Sequence, residues 1–386
     1  MRKKTRRCGS LCLAAVMAAM LAAPVQAASL SDYDEATRTR LQDQVLEYDE
    51  IPALVSLYNP DMQQAYVRME DSLSVYRNGM TEYKNRAAEL DREADKASEN
   101  GDMAESIVYK TNAAAMRSMA KEYKKAVERA ESVSSTRSLM QAEDTITMYV
   151  QQMVQGYAQM ESGCRIGEKS VALAQAAYDS AVVQSGLGMA SAADVKAAEN
   201  SLQTAQAGLR AAEEGKNAMK QNICMMTGWD YHADMTIAGV PELDLGQIES
   251  VNLQADTEKA INNNYELISI RQGKANTTVT KNVRERSLSE KEQEIRISMT
   301  SLYERLRQKL SEKEGADVAW AAAQKEREAL DRKQQLGMVG RLEYLQGELA
   351  YLQAESAKQT ADLELRKAYE EYERQVTGIS VSVTTQ

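Results

Sequence analysis

Proline placement constrains this chain more than any other feature. Beyond the first thirty residues only Pro52, Pro60 and Pro241 occur, so the chain is proline-free from 61 to 240 and again from 242 to 386. Proline inside a helix costs about 3 kcal/mol, and these runs are rich in Ala, Glu, Lys, Gln, Leu and Met, the residues that favour helix. Phe is absent and only two Trp occur, whereas sheets draw on aromatic and β-branched residues. The expectation is an all-α chain of long helices.

Periodicity says how those helices pack. Val195, Ala198, Leu202, Ala205, Leu209 and Ala212 follow alternating spacings of three and four, the pattern of a coiled-coil seam. Leu342, Leu345, Leu349 and Leu352 begin a second seam, which Leu363, Leu365, Ala368 and Tyr372 continue less regularly. Alanine at seam positions lets antiparallel neighbours approach closely.

The chain also repeats itself. Leu187-Gly188-Met189 recurs as Leu336-Gly337-Met338, and each copy carries an acid six residues past the glycine, Asp194 and Glu343. Each then runs into a long helical segment that ends at Thr-Gly, 40 residues from Gly188 to Gly228 and 41 from Gly337 to Gly378. A glycine at such points supplies the positive φ that ends a helix, and Ser191 can cap the next one. The openings of the halves correspond too, Asn59-Pro60-Asp61-Met62 with Asn264-Tyr265-Glu266-Leu267. Residues 229–258, with Gly239-Val240-Pro241, break the helical pattern and read as an extended linker. Short strand-like runs remain at Thr277–Val283 and Ile379–Thr385. The expected organisation is 28–228, first helical repeat; 229–258, linker; 259–378, second helical repeat; and 379–386, tail.

The first 27 residues read as a secretory signal. Five cations, Arg2, Lys3, Lys4, Arg6 and Arg7, precede an apolar run from Leu11 to Ala23, and Val25-Gln26-Ala27 offers small residues for cleavage. The apolar run is shorter than the ~20 residues that span a bilayer. Cleavage removes five positive charges and no acid, taking the net charge from −10 to −15. That balance argues against nucleic acid as a partner, because phosphate binding needs clustered Lys and Arg. Cys164 and Cys224 remain, 24 residues before Gly188 and 36 after it. In a hairpin turning at Gly188 the mismatch separates them by about 18 Å at ~1.5 Å per residue, too far for a disulfide. Both are expected as small buried residues.

Catalytic chemistry is missing. The only histidine is His232, in the linker, and no metal-ligand spacing, phosphate-cradling glycine loop or nucleophile elbow occurs. The acids of 290–307 alternate with Lys and Arg at helical spacing, as solvated ion pairs do. No enzyme activity and no cofactor are expected.

Taken in order, the twofold repeat, the Leu-Gly-Met turns, the heptad helix after each, the Thr-Gly ends and the linker with Pro241 resemble the TolC-type outer-membrane efflux protein family. The resemblance spans roughly residues 44–378. It implies a homotrimer whose two halves per protomer build a hollow helical barrel, serving an inner-membrane exporter through a periplasmic membrane-fusion adaptor. By position, the adaptor-docking tips would be Leu187, Gly188 and Met189 with Leu336, Gly337 and Met338. The family's lumen constriction would fall at Glu343, with the position one turn later occupied by Gln346, which is not acidic.

One departure concerns the membrane. Family members interrupt each half with strands that close an outer-membrane barrel, and such strands need ~9–11 alternating residues. Here residues 85–110 are charged, alanine-rich and helical in pattern, with a turn at Glu99-Asn100-Gly101-Asp102. The second half is shorter still: 73 residues separate Asn264 from Gly337, against 129 from Asn59 to Gly188. Little or no β-barrel is expected. The resemblance implies the outer membrane, while the sequence itself places the chain in the cell envelope without a membrane span, which would suit a single-membrane bacterium. The competing reading is a non-channel coiled-coil scaffold or spacer of the envelope. An adaptor itself would need β-rich domains that this composition does not supply.

Overall fold

A computed structural model describes residues 29–273 and 277–379. The expected export signal and the strand-like run beyond Ile379 lie outside the described residues. The described chain is almost wholly helical, in the order α1 (Glu35–Leu41), β1 (Val45–Leu46), α2 (Ile51–Tyr58), α3 (Pro60–Glu99), α4 (Met103–Ala130), α5 (Val133–Gly186), α6 (Ala192–Met226), β2 (Thr236–Ile237), α7 (Leu245–Glu249), α8 (Leu253–Asn263), α9 (Tyr265–Gln272), α10 (Thr278–Gln335) and α11 (Arg341–Val376). The proline-free stretches become helices of 40, 28, 54, 35, 58 and 36 residues. Pro60 sits at the first helical position of α3, where its missing N–H would have had no partner. Among the described residues no helix is long and apolar enough to cross a membrane.

Two compact units divide the chain. Of the described residues, unit 1 holds 29–38 and 55–144, and unit 2 holds 39–54 and those after Asp144. In unit 1, α3 and α4 form an antiparallel hairpin that turns at Asn100–Asp102. Gly101 takes φ 86°, and the Asp102 side chain accepts from Glu105 N–H to start α4. Small buried residues line the inside: Ala87, Ala94 and Ala97 of α3, Ser106, Ala113 and Ala120 of α4. Opposite Gly79 the backbones leave room for the Tyr123 ring, which also meets Tyr83 at 5.4 Å and Tyr76 at 6.4 Å between centroids. Exposed ion pairs Arg77–Glu131 at 2.7 Å and Asp91–Arg117 bridge the two arms of the hairpin. The charged 85–110 segment is therefore helix, turn and helix, as its pattern predicts.

Unit 2 contains two longer hairpins, α5–α6 turning at Gly188 and α10–α11 turning at Gly337. Around Gly188, Gly167 faces Leu209 and Gly156 faces Met219; the Leu209 of the predicted seam is thus where the neighbouring helix passes. At the base, Ala260, Ile261 and Leu267 of α8 and α9 join Ile295, Met299 and Leu302 of α10 and Tyr372 and Val376 of α11 in one core. Tyr372 donates to Asp256 at 3.2 Å, and burial together with that carboxylate pushes its phenol well up. A second cluster seats Ile248 of α7 on Leu306, Leu365 and Ala368.

The linker region is less extended than expected. Only Thr236–Ile237 is strand, pairing in parallel with Val45–Leu46, and helices α7 and the start of α8 occupy much of the remainder. Arg366 Nη1 donates to Pro241 O at 2.6 Å, fastening the linker to α11. The strand-like reading of Thr277–Val283 is overturned: α10 begins at Thr278. Thr277 accepts from Thr280 N–H and Thr280 Oγ1 accepts from Thr277 N–H, a reciprocal cap that outweighs β-branched propensity. Cys164 and Cys224 are free and buried, as the register predicts.

The internal repeat extends to side chains. Asn59 and Asn264 are fully buried caps with matching backbone angles (φ −64°, ψ 126° and φ −60°, ψ 120°). Asn59 Oδ1 accepts from Asp61 and Met62 N–H, and Asn264 Oδ1 from Leu267 N–H. Seven residues past each cap stands one partner of a bond to a second helix, Tyr66 to Glu143 at 3.1 Å and Arg271 to Glu292 at 3.1 Å. Both glutamates lie 45 residues before their respective Leu-Gly-Met glycines. One joint has therefore been kept in both halves with different chemistry.

Candidate functional site

The six residues assigned to docking occupy the two turns, and the turns are built alike. At the first, Gly188 N–H bonds Ser185 O and Met189 N–H bonds Gln184 O; at the second, Gly337 N–H bonds Gln334 O and Met338 N–H bonds Lys333 O. This pair of reversed bonds satisfies the last carbonyls of the incoming helix and requires the glycine in the left-handed region, where φ is 73° at Gly188 and 69° at Gly337. No other heavy atom lies within 4 Å of where a Cβ would stand on either glycine. The flanking side chains project outward: Leu187 is 70% exposed, Met189 76%, Leu336 73% and Met338 70%. Exposed large apolar side chains grouped in this way mark a contact surface more often than scattered ones do.

The helices that leave the turns start differently. Ser191 caps α6 in a reciprocal box with Asp194, whose carboxyl those hydrogen bonds hold below the usual carboxylate range. Gly340 caps α11 with no side-chain bond. Glu343 stands at the same third helical position as Asp194, so its bland role is an acid in the first turn, favoured by the helix dipole. Glu343 and Gln346 are both exposed on this chain.

Both tips lie at the same end of unit 2. Bonds between α5 and α11 show it: Lys169–Glu348 at 3.0 Å, Arg165–Glu355 at 3.2 Å, Ser162–Gln359 and Gln151–Arg374. Moving away from Gly188 along α5 means moving away from Gly337 along α11, so the two turns cap neighbouring helices on one side.

Sequence reasoning missed the acid that sits deepest near the tips. Glu348 is 9% exposed, with Oε2 on Lys169 of α5 and Oε1 3.6 Å from Arg327 of α10. One signal pointed to it: Glu348 flanks the seam between Leu345 and Leu349, where helical bundles place interhelical ion pairs. Its cations come from helices distant in sequence. Near the base, the half-buried Glu370 accepts from Tyr48 at 2.9 Å and from Arg366 at 3.0 Å, and desolvation raises its carboxyl. His232 is exposed with its ring edge-on to Tyr231, and among the described residues no group of three His, Cys, Asp or Glu could hold a metal.

No family model and no curated protein matches the sequence. Two solved structures align along nearly the full chain. The outer-membrane channel OprN is 11% identical, with 92% of this chain and 94% of that one covered and a TM-score of 0.46. A membrane protein from Pseudomonas aeruginosa is also 11% identical, covering 95% and 98% at a TM-score of 0.45.

Proposed function

We propose that this chain is a TolC-like component of an export system, a homotrimeric helical conduit that receives a membrane-fusion adaptor at its hairpin tips and serves an inner-membrane exporter. The observation that carries the reading is the pair of turns at one end of unit 2. They are closed by the same glycine geometry, and each exposes a leucine and a methionine. Two such tips on adjacent helices suit reception of another protein's helical hairpin, and three protomers would present six. Glu343, exposed beside the second tip, would form a ring of three carboxylates in that trimer and favour cations there. Gln346 adds no second ring.

The conduit works without catalytic groups, since its task is to enclose a path. Where the resembling family inserts its first strand pair, this chain carries the α3–α4 helical hairpin, and in the second half α9 and α10 are joined across a few residues. The favoured location is therefore the cell envelope, outside the cytoplasm, with the α3–α4 hairpin standing in place of a membrane barrel. The same hairpin is what would suit the competing reading, a non-channel spacer.

Light scattering on the purified chain at micromolar concentration separates the two. A trimer is expected, and a monomer or dimer would sink the conduit. Docking is tested by Gly188→Trp and Gly337→Trp in a pull-down with a candidate adaptor encoded beside this chain. Capture is expected to be lost, and unchanged capture would refute the assigned tips.

A further inference from the structure

The two tips share a backbone but not a chemistry. Residues 180–193, around Gly188, contain no charged side chain, and Val182, Val183, Leu187 and Met189 are all exposed there. The matching span 329–342 around Gly337 contains Arg332, Lys333 and Arg341 against one acid, Asp331, which accepts from Tyr344, with Glu343 just beyond it, on a chain whose net charge is −10. The difference falls at matching places. Five and four residues before the glycine stand Val183 and Gln184 in one tip, Arg332 and Lys333 in the other; four after it stand Ala192 and Arg341.

Local structure explains two of these cations and not the third. Arg332 and Lys333 lie in the last turn of α10, where the helix dipole welcomes positive charge. Arg341 is the first residue of α11, at a helix N-terminus that has no side-chain cap and disfavours a cation. All three are exposed, and none forms an ion pair among the described residues. Cations held unpaired beside exposed Leu336 and Met338, one of them against its own helix dipole, form an apolar spot with a positive rim.

We propose that the tips are two unlike half-sites for one partner. The Gly188 tip takes a neutral apolar turn, and the Gly337 tip takes a helix end carrying carboxylates that face Arg332, Lys333 and Arg341. The inference rests on the docking reading and names the chemistry of its partner: a helical hairpin with acidic residues on one side of its tip. Apolar contact gives adhesion at both tips. The charge sets which side of the partner meets which tip, since complementary charges steer and orient encounter.

The test uses two synthetic antiparallel helical hairpins, identical except that three Glu or three Lys flank a leucine-bearing turn. Their affinities for the purified chain are measured by calorimetry at 50 and 300 mM NaCl. The Glu hairpin is expected to bind about tenfold tighter than the Lys hairpin at low salt, with the gap narrowing at high salt as screening shortens the field's reach. The triple variant R332E/K333E/R341E is expected to reverse the preference, and R332Q/K333Q/R341Q to abolish it. Both are surface changes, and an unchanged circular-dichroism melt verifies the fold. Equal binding of the two hairpins, or a preference that survives charge reversal, overturns the proposal. The variant L187S/M189S/L336S/M338S separates the two ideas. If it abolishes capture of hairpins that bound without charge preference, docking stands and the charge assignment falls. If neither hairpin binds the unaltered chain, both fall.

Discussion

Gly378→Ala is the most discriminating single change. Gly188, Gly337 and Gly378 share one geometry: each follows a helix end, takes a positive φ (73°, 69° and 95°), and is followed by an N–H that reaches back five residues. For any of them, a Cβ in the left-handed region costs roughly 1–2 kcal/mol. At the two tips nothing lies within 4 Å of that Cβ, so the backbone term stands alone. At Gly378 the added carbon would lie 2.2 Å from Asn263 O and 2.5 Å from Asn263 C, both backbone atoms. Asn263 cannot readily withdraw, because its Nδ2 donates to Val376 O at 3.1 Å and its helix packs in the base core. Relieving such an overlap adds about 1–3 kcal/mol. Gly378→Ala should therefore destabilise unit 2 by about 2–5 kcal/mol, against about 1–2 kcal/mol for Gly188→Ala or Gly337→Ala. Urea unfolding followed by helical circular dichroism measures the three midpoints side by side, with slopes checked for equality. If all three substitutions shift the midpoint equally, the close approach of α11's end to α8 is not a feature of the folded chain.

Other substitutions test other links. Glu348→Ala leaves Lys169 and Arg327 without their shared carboxylate and should cost about 1–3 kcal/mol by the same unfolding assay, while Glu348→Leu, which fills the space with apolar volume, should cost less; equal losses would mean the ion pairs matter little. Asn264→Ala removes a buried cap and should cost about 1–2 kcal/mol, and a neutral result would separate cap geometry from stability. Burial raises the Glu143 carboxyl above its ordinary 4.5. A carboxyl raised by folding adds stability that is complete below the ordinary value and is lost as pH climbs through the raised one. Glu143→Gln should therefore gain stability relative to the parent at pH 7, with the gain shrinking toward pH 4.5; a gain that is flat with pH would contradict it.

Much of the architecture was legible because its signals are local. A proline at 60 and none until 241 permits long helices; a glycine inside Leu-Gly-Met ends one helix within three residues; Ser191 and Asp194 start the next. Each such signal acts through bonds a few residues long, so composition and spacing report it faithfully. The same locality explains the one clear misreading. Thr277 and Thr280 look like strand residues by propensity, yet their hydroxyls cap a helix, a use that propensity does not encode.

What the sequence alone determined is therefore the helices and their turns. Tertiary structure decided the rest. It placed Lys169 and Arg327 on Glu348, put Val45–Leu46 beside Thr236–Ile237, and matched Tyr66–Glu143 to Arg271–Glu292. It also set an uncharged tip and a cationic tip at the same end of unit 2. Such pairings join residues tens to hundreds of positions apart, and their energies depend on burial and distance that no local pattern contains.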